Sequence, residues 1–137
     1  MSALNKLMTQ GIIPPQVHGV LDYPLAAILI AGPLVLDFDD RAATVIALVF
    51  GAGAAILAVG TNWSTGIVRV IPPILHGYAD IGVTLALIVL PFAVGFTGET
   101  TALVFYEVVG VGGLLATLAT RFESRVPAPR MMVREAM

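Results

Sequence analysis

Four long apolar stretches, separated by polar breaks, set the plan of this chain. They run over roughly 15–38, 41–60, 72–96 and 101–120. Each approaches the ~20 apolar residues that a helix needs to cross the hydrocarbon core of a bilayer. "DFDDR" (37–41) and "TGET" (97–100) are short polar turns, so stretches one and two, and three and four, read as helical hairpins. "TNWSTGIVRVIPP" (61–73) is longer and links the hairpins. The predicted fold is an all-α membrane protein: one transmembrane domain over 1–137 with four spanning helices and a basic tail at 121–137.

The hairpins are also copies in sequence. Ile13, Pro14, Pro15, His18, Gly19, Asp22, Pro33 and Phe38 recur, 58 residues on, as Ile71, Pro72, Pro73, His76, Gly77, Asp80, Pro91 and Phe96. Repeat 1 covers about 13–60 and repeat 2 about 71–120. A unit of two spans returns the chain to its starting side, so both copies enter from that side. This is a parallel repeat, with a pseudo-two-fold axis along the membrane normal. Each Pro pair suits a first helical turn, where the missing N–H would be unpaired anyway. Pro33 and Pro91 lie inside the first and third spans and predict kinks in their outer thirds. "GAGAA" (51–55) and "GVGG" (110–113) predict close helix contact. A nucleotide loop needs a strand before it, and no strand pattern is present.

Composition makes the bilayer the solvent. The chain is 58% hydrophobic and 12% charged, against about 25% charged in a soluble domain. With no cysteine, disulfides, thiolate metal sites and cysteine nucleophiles are excluded. No basic run or nucleic-acid motif occurs. Lys6 and the apolar residues after it loosely fit a signal peptide, but prolines, His18 and Asp22 interrupt the region and no small-residue cleavage site follows, so the N-terminus reads as retained. Lys6, Arg69, Arg121, Arg125, Arg130 and Arg134 fall on one side and Arg41 on the other. The positive-inside rule then predicts both termini in the cytoplasm. Trp63 and Phe122 fit that interface. The tail reads as solvated, or as a docking strip for anionic lipid or a partner.

Five ionisable residues sit within the spans: His18, Asp22, His76, Asp80 and Glu107. A charge at the bilayer centre costs roughly 2.5–3.5 kcal/mol, so these side chains are expected to be paired. His and Asp at i, i+4 share one helix face, about one and two turns into each helix. Tyr23 and Tyr78 add hydroxyls at similar depth, and Arg69 stands at the cytoplasmic end. Four readings fit. The pairs hold the repeats together in a structural or accessory subunit. His18 and His76 ligate a b-type haem, with each Asp orienting its imidazole and Arg69 meeting a propionate. The cluster, with Glu107, passes protons or cations. Two His and two Asp hold a divalent metal ion. Catalysis has little support: there is no G-x-S-x-G or H-E-x-x-H, and Ser2, Ser64 and Ser124 lie in tails or loops. So small a bundle is expected to associate with itself or with a larger membrane complex.

"TNWSTGIVRVIPPILHGYADIGVTLALIVLPFAVGF" (61–96) resembles the core of bacterial SPW-repeat membrane proteins, and the resemblance extends over about 13–120. The Ser-Pro-Trp of that family maps onto Gly32-Pro33-Leu34 and Leu90-Pro91-Phe92, where the proline alone is kept. The resemblance implies a small protein of two-span repeats in the bacterial inner membrane, and no activity.

Overall fold

The computed structural model describes residues 2–122. It is all-helical, with five helices: α1 (Ala3–Thr9), α2 (Pro15–Val35), α3 (Arg41–Gly60), α4 (Pro73–Val94) and α5 (Thr100–Leu118). α2 to α5 are the four expected spans, each long and apolar enough to cross a membrane. α1 was not anticipated. Its seven residues are too few to show a period, and it bends back to bury Met8 at the end of the bundle. The basic tail, apart from Arg121 and Phe122, lies outside the described residues.

Neither α2 nor α4 has a side-chain cap. Each starts with the second proline of its pair, whose absent N–H removes one unpaired donor. The isoleucine before each pair is pinned to the end of a different hairpin. The Ile71 N–H bonds the Gly60 carbonyl at 2.9 Å, and the Ile71 carbonyl accepts from Asn62 at 2.8 Å. The Ile13 N–H bonds the Ala119 carbonyl at 2.9 Å, and its carbonyl accepts from Arg121 at 3.0 Å. The end of α3 thus fixes the start of α4, and the end of α5 fixes the start of α2. The four spans close into a ring in chain order.

At the opposite end, α2 and α4 run through Pro33 and Pro91 and stop within a turn of them. α2 also contains a second internal proline, Pro24. The carbonyls of Pro33 and Pro91 accept the N–H groups of Phe38 and Phe96 at 3.1 and 3.0 Å, turning both phenylalanines inward. There Phe38 meets Phe105 and Phe96 meets Tyr106, edge to face, with ring centres 5.3 and 5.0 Å apart. The Tyr106 hydroxyl donates to the Ala43 carbonyl at 2.6 Å. Glu99 accepts the backbone N–H groups of Asp39 and Asp40 at 3.0 and 2.8 Å, tying the outer turns together.

The residue closing α4 is Gly95, at φ 96°; its counterpart after α2, Asp37, sits at φ 53°. Left-handed backbone costs an L-residue roughly 1–2 kcal/mol, and glycine gives back about half of that as unfolded-state entropy. Asp37 is exposed, so Asp37→Gly is expected to stabilise the protein by about 0.5–1 kcal/mol, read as a raised thermal midpoint in detergent.

Candidate functional site

Two apolar layers close the ends of the bundle: the aromatic cluster just described, and Met8, Trp63 and Phe122 at the end that holds α1 and the linker. Beneath the second layer, the four side chains singled out by the repeat meet. His18 and His76 are 5% and 1% exposed, and Asp22 is 7% exposed. His18 Nε2 lies 2.9 Å from Asp80 Oδ2 and 3.2 Å from Asp22 Oδ1; His76 Nε2 lies 3.0 Å from Asp80 Oδ2 and 3.3 Å from Asp22 Oδ2. Each imidazole therefore touches the carboxylate of its own helix and that of the other hairpin.

The far side of each ring is held by a threonine of the opposite hairpin. Thr120 Oγ1 is 2.8 Å from His18 Nδ1, and Thr61 Oγ1 is 2.7 Å from His76 Nδ1. Both hydroxyls also sit 2.6–2.7 Å from a carbonyl one turn back, of Leu57 and Ala116. Two oxygens at that distance repel unless a proton lies between them, so each hydroxyl donates to the carbonyl and accepts from the imidazole. Both Nδ1 atoms then carry hydrogen, and both Nε2 atoms face the carboxylates. His18 Nε2 and Asp80 Oδ2 have the alignment of a hydrogen bond, which takes a second proton, placed between them. His76 Nε2 and Asp22 Oδ2, both buried, have no aligned partner among the described residues.

Aromatic rings roof the cluster. Trp63 is 4.4 Å from the His76 ring and 5.9 Å from that of His18; Phe122 is 5.1 Å from His18. The glycine after each histidine makes the room: a Cβ at Gly19 would strike Thr65 and Trp63, and one at Gly77 would strike Met8 and Phe122. On the other side of the cluster a cavity of about 570 Å³ opens between the hairpins. Its walls include Leu25, Leu29, Phe50, Val83, Leu87 and Val109. Thr84 and Thr117 line it too, but their hydroxyls bond their own helices at 2.7 and 2.8 Å. The polar face of the cavity is therefore the His–Asp floor.

A family model described as the SPW repeat domain matches residues 16–121. The chain belongs to this family. No curated protein and no solved structure matches it. The two HGxxD strings of this SPW repeat protein are thus spent on one shared site, and the family match spans all four helices that build it.

The other residues expected in the polar cluster lie outside it. Tyr23 donates to the Thr65 carbonyl at 2.7 Å, and Tyr78 reaches Asn5 at 3.5 Å. Arg69 sits in left-handed backbone and folds onto its own loop, with Nε 2.9 Å from the Gly66 carbonyl. Glu107 is neither in the cluster nor among the residues lining the cavity. The haem reading does not fit this geometry. A bis-imidazole haem needs its macrocycle between the two Nε2 atoms, where carboxylate oxygens stand within 3.3 Å of both.

Thr61 and Thr120 were missed. They are 59 residues apart, not 58, because the second outer turn is one residue longer: α3 starts three residues after Phe38, and α5 four after Phe96. At an offset of 59, Ala43, Val45, Val49, Gly51, Gly53 and Thr61 match Ala102, Val104, Val108, Gly110, Gly112 and Thr120. The expectation that both glycine runs serve contact holds in part. Gly51 and Gly110 meet a neighbouring helix, whereas Gly53 and Gly112 meet nothing within 4 Å and border the cavity.

Proposed function

We propose that this multi-pass SPW repeat protein is a structural or accessory subunit of a bacterial inner-membrane assembly. In this reading the His–Asp cluster locks two hairpins into one body, and that body presents its apolar outer faces to lipid and to a partner. One observation carries it: every polar contact of the two imidazoles reaches the opposite hairpin, apart from the i, i+4 contact within each helix. A bundle whose hairpins are cross-linked by buried polar contacts at this layer gains rigidity there, and small residues and exposed aliphatics remain for outside contacts. The test is isolation of the tagged protein from native membranes in mild detergent. Migration with further copies or other membrane proteins, kept after cross-linking in the membrane, supports the reading. A lone monomer in both preparations overturns it.

We further infer that both termini lie in the cytoplasm. Lys6, Arg69 and Arg121 gather at the end of the bundle that holds the cluster, and Arg41 stands at the other among Asp37, Asp39, Asp40 and Glu99. The chain has no native cysteine, so single cysteines report topology without background. A Gly98→Cys variant is expected to react with an impermeant maleimide from outside intact spheroplasts, and Asn5→Cys and Ser64→Cys only after lysis. The opposite pattern would reverse the orientation.

A further inference from the structure

We propose that the His–Asp cluster is a binding site for one divalent first-row transition-metal ion, zinc in the first instance, held by His18 Nε2, His76 Nε2 and one oxygen each of Asp22 and Asp80. This goes beyond a purely structural role for the cluster and does not require that the protein have a partner.

The donor set is right for such an ion. Imidazole nitrogen and carboxylate oxygen bind zinc at about 2.0–2.2 Å in tetrahedral array. Four ligands at that radius stand about 3.3–3.6 Å from one another. The four imidazole–carboxylate contacts of the cluster, two within a helix and two between the hairpins, are 2.9–3.3 Å long, and one donor atom from each residue lies within 4.8 Å of the other three. The imidazole–carboxylate pairs therefore have to open by a few tenths of an ångström, and the widest pair of the set, up to 4.8 Å apart, has to close, for the four atoms to form a tetrahedral shell.

Three further observations point to a ligand. His76 Nε2 and Asp22 Oδ2 are buried and stand 3.3 Å from each other, yet neither has an aligned hydrogen-bond partner among the described residues. Such atoms are costly unless something occupies the point they face. Next, each imidazole gives its Nδ1–H to a threonine hydroxyl that is itself fixed on a helix carbonyl. Metal-bound histidines keep this kind of outer contact, which sets the ring angle and leaves the other nitrogen free for the ion. Finally, charge matches. Two carboxylates balance one divalent cation, so the loaded layer is neutral in a medium that penalises net charge. The Asp80 side chain is 18% exposed and lines the cavity, so it is the carboxylate of the set less enclosed by protein.

The experiment uses the full chain, purified in detergent through a histidine-free tag and without chelator. Elemental analysis is expected to find about one zinc per chain. Protein stripped with a chelator and reloaded with Co²⁺ is expected to show the visible absorption of tetrahedral cobalt. Asp22→Asn and Asp80→Asn, which keep the side-chain shape, are expected to lose both signals. Thr61→Val/Thr120→Val is expected to weaken zinc binding about 10–100-fold, the usual effect of removing such outer contacts. Wild-type protein that carries no stoichiometric metal, takes up none after stripping and gives no cobalt spectrum overturns the site, and needs no variant to do so. If the Asn variants keep wild-type zinc content while folded by circular dichroism, the ion sits elsewhere and the assignment is also overturned. A colourless, metal-free protein destabilised by these substitutions leaves the locking role standing without the ion.

Discussion

Asp22→Ala is expected to lower the stability of the bundle by about 3–5 kcal/mol, the usual cost of removing one partner from a buried charged pair. The loss follows from the contacts on both sides. Asp22 faces His18 at 3.2 Å and His76 at 3.3 Å, with its side chain 9% exposed. Without it, two imidazoles converge on the single carboxylate of Asp80 under a roof of Trp63 and Phe122. The measurement is equilibrium unfolding in detergent with chelator present, so that metal plays no part. Trp63 is the sole tryptophan and lies against His76, which makes its fluorescence the local probe. A second variant separates the clamp from simple packing. Replacing His18, Asp22, His76 and Asp80 together by leucine is expected to recover most of the loss, because an apolar layer carries no desolvation cost. A change under about 1 kcal/mol for Asp22→Ala, within the range of an exposed pair, would remove the cluster from any clamping role.

Gly66→Ala is the second large effect, although Gly66 touches neither imidazole. A Cβ there would fall on the carbonyl of Thr61, too close for any side-chain adjustment to relieve. The linker has to move, and Thr61 moves with it. Thr61 Oγ1 is the group that holds His76 Nδ1 at 2.7 Å. Overpacking of this kind costs about 1–3 kcal/mol, and here it also turns an imidazole away from its carboxylates. Gly82→Ala is the control. Nothing lies within 4 Å of that position, so it is expected to be neutral or to stabilise α4 by up to about 1 kcal/mol. Thermal unfolding of the two variants side by side checks the difference. Equal midpoints would show that the linker does not support the site.

The spans were readable because their signal is redundant. Length, hydropathy and the charged turns all mark the same limits, and each of α2 to α5 begins and ends within a few residues of them. The His–Asp quartet was readable for a different reason. It occurs twice at one spacing, and a membrane chain has no cheap place for an unpaired Asp. What escaped was either too short for a period, as with α1, or out of step with the repeat. Thr61 and Thr120 hid behind the extra residue of the second outer turn. Tyr23, Tyr78 and Arg69 were misplaced for the opposite reason. Each has the right depth along its segment, but depth does not say which way a side chain turns, and loop carbonyls and Asn5 took their hydrogen bonds instead.

The crossed threonines also bear on how the protein is made. His18 is translated early, and the hydroxyl that fixes its ring belongs to Thr120, 102 residues later. Its second carboxylate, Asp80, comes 62 residues later. The first hairpin is therefore made with His18 lacking Asp80 and Thr120, Asp22 lacking His76, and Thr61 also waiting for His76. The site begun on α2 is complete only when Thr120, two residues past the end of α5, has reached its place.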